Sequence, residues 1–236
     1  MLMQRRRRMV LVAVVLIGTL GWIVVKEWPN LPLIPPDLQS QQSGSNSDSG
    51  EVARDALAAL PTKGRAPKTG YKRSQFGDGW AKVGGCDTRN VILRRDLTNA
   101  VLGDDNCKVQ AGALSDPYTG QRIAFKRGAN SSGAVQIDHV VALSNAWQTG
   151  AQQLSSEQRI SLANDPLELL AVDGPANQQK GDGDAATWLP SNKPFRCQYI
   201  ARQIAVKKKY LLWVTPPERM AMERILASCP EQRLPA

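Results

Sequence analysis

Residues 134–147 read AVQIDHVVALSNAW, and residues 167–180 read LELLAVDGPANQQK. AVQID, residues 134–138, is an apolar-rich run of strand length, and LELLAV, residues 167–172, is a second. Between them, SSEQRISLAND sets Ser155 and Gln158 at the spacing of a capping box and predicts a helix. After the second run, DGPANQQKGDGD holds Asn177 and Lys180 in a turn that opens a further helix. Downstream, FRCQYIARQIAVKKKYLLW and PPERMAMERILASC predict two C-terminal helices, the latter started by proline in its first turn. Helices packed over two strands give an α+β domain.

Upstream, EVARDALAAL carries alanine and leucine at helical spacing and ends before Pro61, so the folded domain is expected to span 51–236. Segments near 91–97, 109–114 and 123–126 are too short for periodicity to choose between strand and helix. Residues 29–50 are rich in Pro, then in Ser, Gln, Gly and Asn, and read as a linker. The run from Met9 to Val25 is almost wholly apolar and follows Arg5, Arg6, Arg7 and Arg8. Residues 1–28 therefore read as a membrane helix with its arginines on the cytoplasmic side, which places the rest of the chain outside. No A-x-A signal and no lipid-accepting cysteine follow the run, which favours a retained single-pass anchor; secretion after signal cleavage is the alternative.

The formal charge is +9, and the four clustered arginines supply a large part of it. The remaining excess suits a polyanionic partner but is also common on solvated surfaces. The four cysteines, Cys86, Cys107, Cys197 and Cys229, fall in the exported part, where disulfides persist. None has the spacing of a thiolate zinc site. Of three possible pairings, Cys86 with Cys107 and Cys197 with Cys229 is preferred, because each bond then ties consecutive elements.

His139 is the single histidine, and it directly follows Asp138 at the end of a predicted strand. A neutral imidazole takes a proton from water near neutral pH, and an adjacent carboxylate suits a divalent cation. An isolated Asp–His pair is more often a histidine that only satisfies a hydrogen bond. The order of elements changes that reading: strand, Asp–His, insertion, strand, then N-x-x-K. It resembles the ββα-metal finger of HNH nucleases. More closely, IDHVVALSNAW, ANDPLELLAV, NQQKGDGDAATWLP and FRCQYIARQIAVKKKY resemble secreted bacterial HNH proteins related to the GmrSD restriction-endonuclease C-terminal domain.

The resemblance implies a ββα-metal finger within a mostly helical domain and a nuclease that hydrolyses phosphodiesters of DNA, with RNA left open. It implies Asp138 and Asn177 as metal ligands and His139 as the general base. Lys180 is expected beside the scissile phosphate. Two oxygen ligands suit a hard cation, so one Mg2+ or Mn2+ is the expected cofactor. The middle asparagine of the pattern falls near Glu168, with Asn164 four residues earlier as the candidate for loop bracing. That departure keeps a second reading open, a catalytically inactive envelope or nucleic-acid binding module. Ser144 lacks the surroundings of a serine nucleophile. Lys126 and Arg127, just ahead of the catalytic strand, are the expected substrate contacts. Arg202 and Lys207 to Lys209 read as phosphate-tracking residues or a solvated helix face, Trp147 and Trp188 as core. No protein partner is implied.

Overall fold

The computed structural model describes residues 50–235. The proposed membrane segment and nearly all of the linker lie outside the described residues. Among the described residues, no helix is long and apolar enough to cross a membrane.

The domain mixes short strands with helices. Helix α1 (Ala53–Ala59) agrees with the expected amphipathic run. A small ribbon of β1 (Lys82–Val83) and β2 (Cys86–Asp87) leads into α2 (Thr88–Asp96), whose first turn is capped by the Asp87 carboxylate accepting from Asn90 N–H. The ambiguous segments then resolve. Residues 91–96 continue α2, whereas β3 (Leu97–Leu102), β4 (Val109–Ser115) and β5 (Arg122–Lys126) form an antiparallel sheet in that order.

Strand β6 (Val135–His139) pairs antiparallel with β7 (Leu169–Asp173), Asp138 opposite Leu170 and His139 opposite Leu169. The insertion between them holds α3 (Leu143–Gln148) and α4 (Ser156–Asn164), and α4 starts with the full Ser155–Gln158 capping box. Helix α5 (Gly174–Lys180) follows β7 directly, capped by Asp173, with Pro175 in its first turn. Helices α6 (Arg196–Lys209) and α7 (Pro216–Leu226) complete the chain.

The β6–β7 ribbon separates two apolar clusters, because successive strand side chains alternate between faces. Leu170 and Val172 pack with Tyr199, Ile200 and Ile204 of α6, while Val135, Leu169 and Ala171 pack with Ile92, Leu93, Val109 and Phe125. The C-terminal helices therefore cover one face only, and α2 with the three-stranded sheet covers the other. Both preferred disulfides are present, Cys86–Cys107 and Cys197–Cys229.

The basic run on α6 divides between interior and surface, with Lys207 inside and Lys208 and Lys209 on the exposed face. Lys207 is fully buried and ion-paired with Glu218, Lys208 pairs with Glu51, and Lys209 pairs with Asp165. Arg202 donates to the carbonyls of Leu167 and Pro166. Trp147 lies in the core, and Trp188 packs against it.

Candidate active site

Strand β6 pairs with β7 alone, so its other edge is free to border a cavity of about 460 Å³. Gln136, Asp138 and His139 from β6, with Asn177 from α5, line that cavity. Adjacent strand residues point to opposite faces, yet every residue from Val135 to His139 lines the cavity, because the space borders the open edge of β6 rather than one face.

The His139 ring is tightly held. Its Nε2 lies 3.0 Å from the Ala163 carbonyl at the end of α4. A carbonyl only accepts, so Nε2 carries the proton and Nδ1 is left with a free lone pair. Trp80 lies parallel to the imidazole, 4° between planes and 5.9 Å between centroids. Burial, with Arg73 and Lys180 adding positive charge, pushes the pKa down to about 3 against the opposing Ala163 contact. The ring is accordingly neutral over the ordinary pH range.

Asn164 sets this arrangement. Its Oδ1 accepts from Ala81 N–H at 2.8 Å and its Nδ2 donates to the Ile160 carbonyl, so it ties the chain beside Trp80 to the turn whose carbonyl holds His139. Glu168 braces the other side: its backbone carbonyl accepts from Val140 N–H, and its carboxyl oxygen accepts from Val141 N–H at 3.1 Å. The two positions thus share the loop-bracing work on either side of the histidine.

Asp138 is buried. Its Oδ1 accepts from Lys180 Nζ at 2.9 Å, and its Oδ2 accepts from the Tyr118 hydroxyl. Burial raises the carboxyl above its ordinary value, while Lys180 and Tyr118 oppose that rise. Tyr118 is placed by the β4–β5 turn, where Asp116 accepts from Thr119 N–H and from Asp173 N–H. Asn177 donates from Nδ2 to Gln136 Oε1 at 2.9 Å, leaving its own Oδ1 as an acceptor.

Lys180 stands elsewhere than expected. Its ammonium is fully buried between Asp138 and the His139 carbonyl, 2.8 Å from the latter, and does not line the cavity. Asn177, Gln178 and Gly181 line the opening, whereas the Lys180 side chain is drawn to the end of β6 by the Asp138 carboxylate and the His139 carbonyl. Lys126 is exposed on β5, and the Arg127 guanidinium is spent on the Val109 carbonyl and Asn90. Neither lines the cavity. In their place stand Arg73, Trp80 and Arg89, brought in from before and after the β1–β2 ribbon. Sequence reasoning missed all three because no local pattern links them to the Asp–His pair.

The model of the family described as GmrSD restriction endonucleases, C-terminal domain, matches residues 87–225, more than half the chain and all of β6, β7 and α5. The chain belongs to this family. As a GmrSD C-terminal domain protein it falls among nuclease-like chains, and the match contains Asp138, His139 and Asn177. A relative from Arthroderma benhamiae, described as an "uncharacterized secreted protein", is 37% identical over 187 residues, 78% of this chain and 88% of that protein. No solved structure matches.

Proposed function

We propose that this GmrSD C-terminal domain protein is an HNH-type nuclease in which β6, β7 and α5 act as the ββα-metal finger, hydrolysing phosphodiester bonds of DNA and, as an open alternative, RNA. The observation that carries the reading is the His139 Nε2–Ala163 contact, which fixes a neutral imidazole with Nδ1 free in a cavity shared with Asp138 and Asn177.

In this reading Nδ1 takes the proton of a water as its oxygen attacks phosphorus. The bond to the leaving 3′ oxygen breaks, and that oxygen takes a proton from solvent. Asp138 and Asn177, both lining one cavity, would hold a hard divalent ion, Mg2+ or Mn2+, through a carboxylate oxygen and an amide oxygen, with Tyr118 or Lys180 yielding its hold on Asp138. When bound, the ion supplies neutralisation of charge developing on the phosphate. Lys180 and Tyr118 orient the Asp138 carboxylate, and Ala163 with Trp80 orients the base. Two paired disulfides and a fungal relative described as secreted support action outside the cytoplasm.

Incubating the full chain with plasmid DNA and Mn2+ or Mg2+ tests the proposal. His139→Ala is expected to lower cleavage by about 100-fold or more, and chelation is expected to abolish it. Equal cleavage by both proteins removes His139 from the chemistry. A second reading rests on the Asp138 oxygens, both already engaged by Tyr118 and Lys180: a binding module without turnover. It predicts that the wild type retards DNA on a gel without cleaving it.

A further inference from the structure

The cavity that holds His139 has an uncompensated charge. Its charged lining residues are Arg73, Arg89 and Asp138. Asp138 is offset by the Lys180 ammonium 2.9 Å away, so both arginine charges remain. Neither arginine has a carboxylate within ion-pair distance among the described residues. Other cations without a carboxylate partner, such as Lys126 and Arg224, stand on exposed surface, whereas these two line a cavity.

The two arginines occupy different stations. Arg73, in the 3-10 turn Arg73–Phe76, also lines a smaller pocket of about 200 Å³ together with Trp80 and His139. Arg89, in the first turn of α2, lines the larger cavity only. Arg89 interacts electrostatically with Arg127 and, favourably but outside ion-pair distance, with Asp87, whereas Arg73 acts on His139. Such an arrangement suits neighbouring phosphates along a chain better than one phosphate gripped from two sides. Guanidinium groups pair with phosphate oxygens through two parallel N–H donors.

We infer that Arg73 and Arg89 form a polynucleotide backbone subsite, each holding a phosphate that flanks the one presented to His139. The inference rests on the nuclease reading and names what its cavity selects: a polynucleotide with several phosphates, in preference to a lone phosphodiester. Arg73 sits on the side of the base and Trp80, and Arg89 on the side of α2.

The test separates binding from turnover. Binding of a short fluorescein-labelled oligonucleotide to the full chain is followed by anisotropy in chelator, where metal-dependent cleavage is stopped, over a range of salt. Arg73→Ala and Arg89→Ala are each expected to weaken binding roughly tenfold and to lower the slope of log affinity against log salt by about 1. Arg73→Lys and Arg89→Lys keep the charge and are expected to retain the slope, which excludes misfolding as the cause. Arg224→Ala, exposed on α7 away from the cavity, is expected to bind as wild type. With Mn2+, both alanine variants are expected to lose far less turnover on bis(p-nitrophenyl) phosphate than on the oligonucleotide, because the small diester has no flanking phosphate.

Unchanged oligonucleotide affinity and slope in both alanine variants overturn the subsite. So does a loss on the small diester as large as the loss on the oligonucleotide, which would place the arginines on the reacting phosphate itself. A wild type that binds with the expected slope but cleaves neither substrate defeats the nuclease reading and leaves the subsite standing.

Discussion

Glu168 carries a cost that its position explains. The carboxyl is fully buried, its Oε1 has no hydrogen-bond partner, and its other oxygen accepts from Val141 N–H. Burial raises its pKa well above the ordinary 4.5, against the smaller opposing effects of the Val141 hydrogen bond and Lys180. A carboxyl that holds its proton more tightly when folded stabilises the fold fully below pH 4.5, and that contribution is lost as pH rises towards the folded pKa. Glu168→Gln keeps an acceptor for Val141 and removes the ionisation. It is therefore expected to melt like wild type near pH 4 and above it at neutral pH, as followed by circular dichroism. A variant that melts below wild type at neutral pH contradicts the account. Glu168→Ala leaves the Val141 N–H unpaired and is expected to cost about 1–3 kcal/mol in denaturant titrations. At this scale the sequence was informative where chemistry is local. Asp138, His139 and Asn177 were legible because adjacency and the N-x-x-K spacing bind them to one strand and one helix. Trp80 was not, since the Ala81–Asn164 bond that holds it in place spans 83 residues of chain. Lys180 was visible as a residue, but its partners depend on how α5 rolls against β6, which spacing does not fix.

Helix α5 must sit close against the chain before β6 for Asn177 to reach Gln136. Gly174, its first residue, makes this approach possible: a Cβ there would lie 2.0 Å from the Gly133 carbonyl oxygen. That contact is backbone, so it cannot be relieved by turning a side chain. Gly174→Ala is expected to push α5 outward, to cost about 1–3 kcal/mol by overpacking, and to break the Asn177–Gln136 hydrogen bond. Cleavage of plasmid DNA is expected to fall more than stability alone predicts when assayed well below the melting temperature. Normal activity in a folded Gly174→Ala protein would show that the α5 position has slack. The capped helices were readable in advance, α4 from Ser155 and Gln158 and α7 from its opening prolines, because capping is decided by neighbours in sequence. The boundary between α2 and β3 was not. Residues 91–97 straddle it, and what settles their conformation is the antiparallel pairing of Leu97 with Leu114 on β4.

The two disulfides close loops of similar length, with sequence separations of 21 and 32, so each is expected to stabilise the fold by about 3–4 kcal/mol through the unfolded chain. Their places in the molecule differ. Cys86–Cys107 anchors the ribbon between Trp80 and Arg89, both of which line the cavity. Cys197–Cys229 joins the start of α6 to the chain after α7, and none of those residues lines it. Comparable losses of stability should therefore have unlike effects on the site. The Cys197→Ser/Cys229→Ser protein is expected to melt lower yet to keep the KM for an oligonucleotide when assayed well below its transition. The Cys86→Ser/Cys107→Ser protein is expected to lose a similar amount of stability and in addition to raise that KM several-fold, because the segment that presents Arg89 and Trp80 is released at one end. The Asn90 side chain, which accepts from both Val109 N–H and Arg127, keeps β4 joined to α2 without the disulfide and limits the effect to KM, with kcat changed little. Equal KM values in the two double variants at matched distance below their melting temperatures would show that the ribbon holds its place through packing alone.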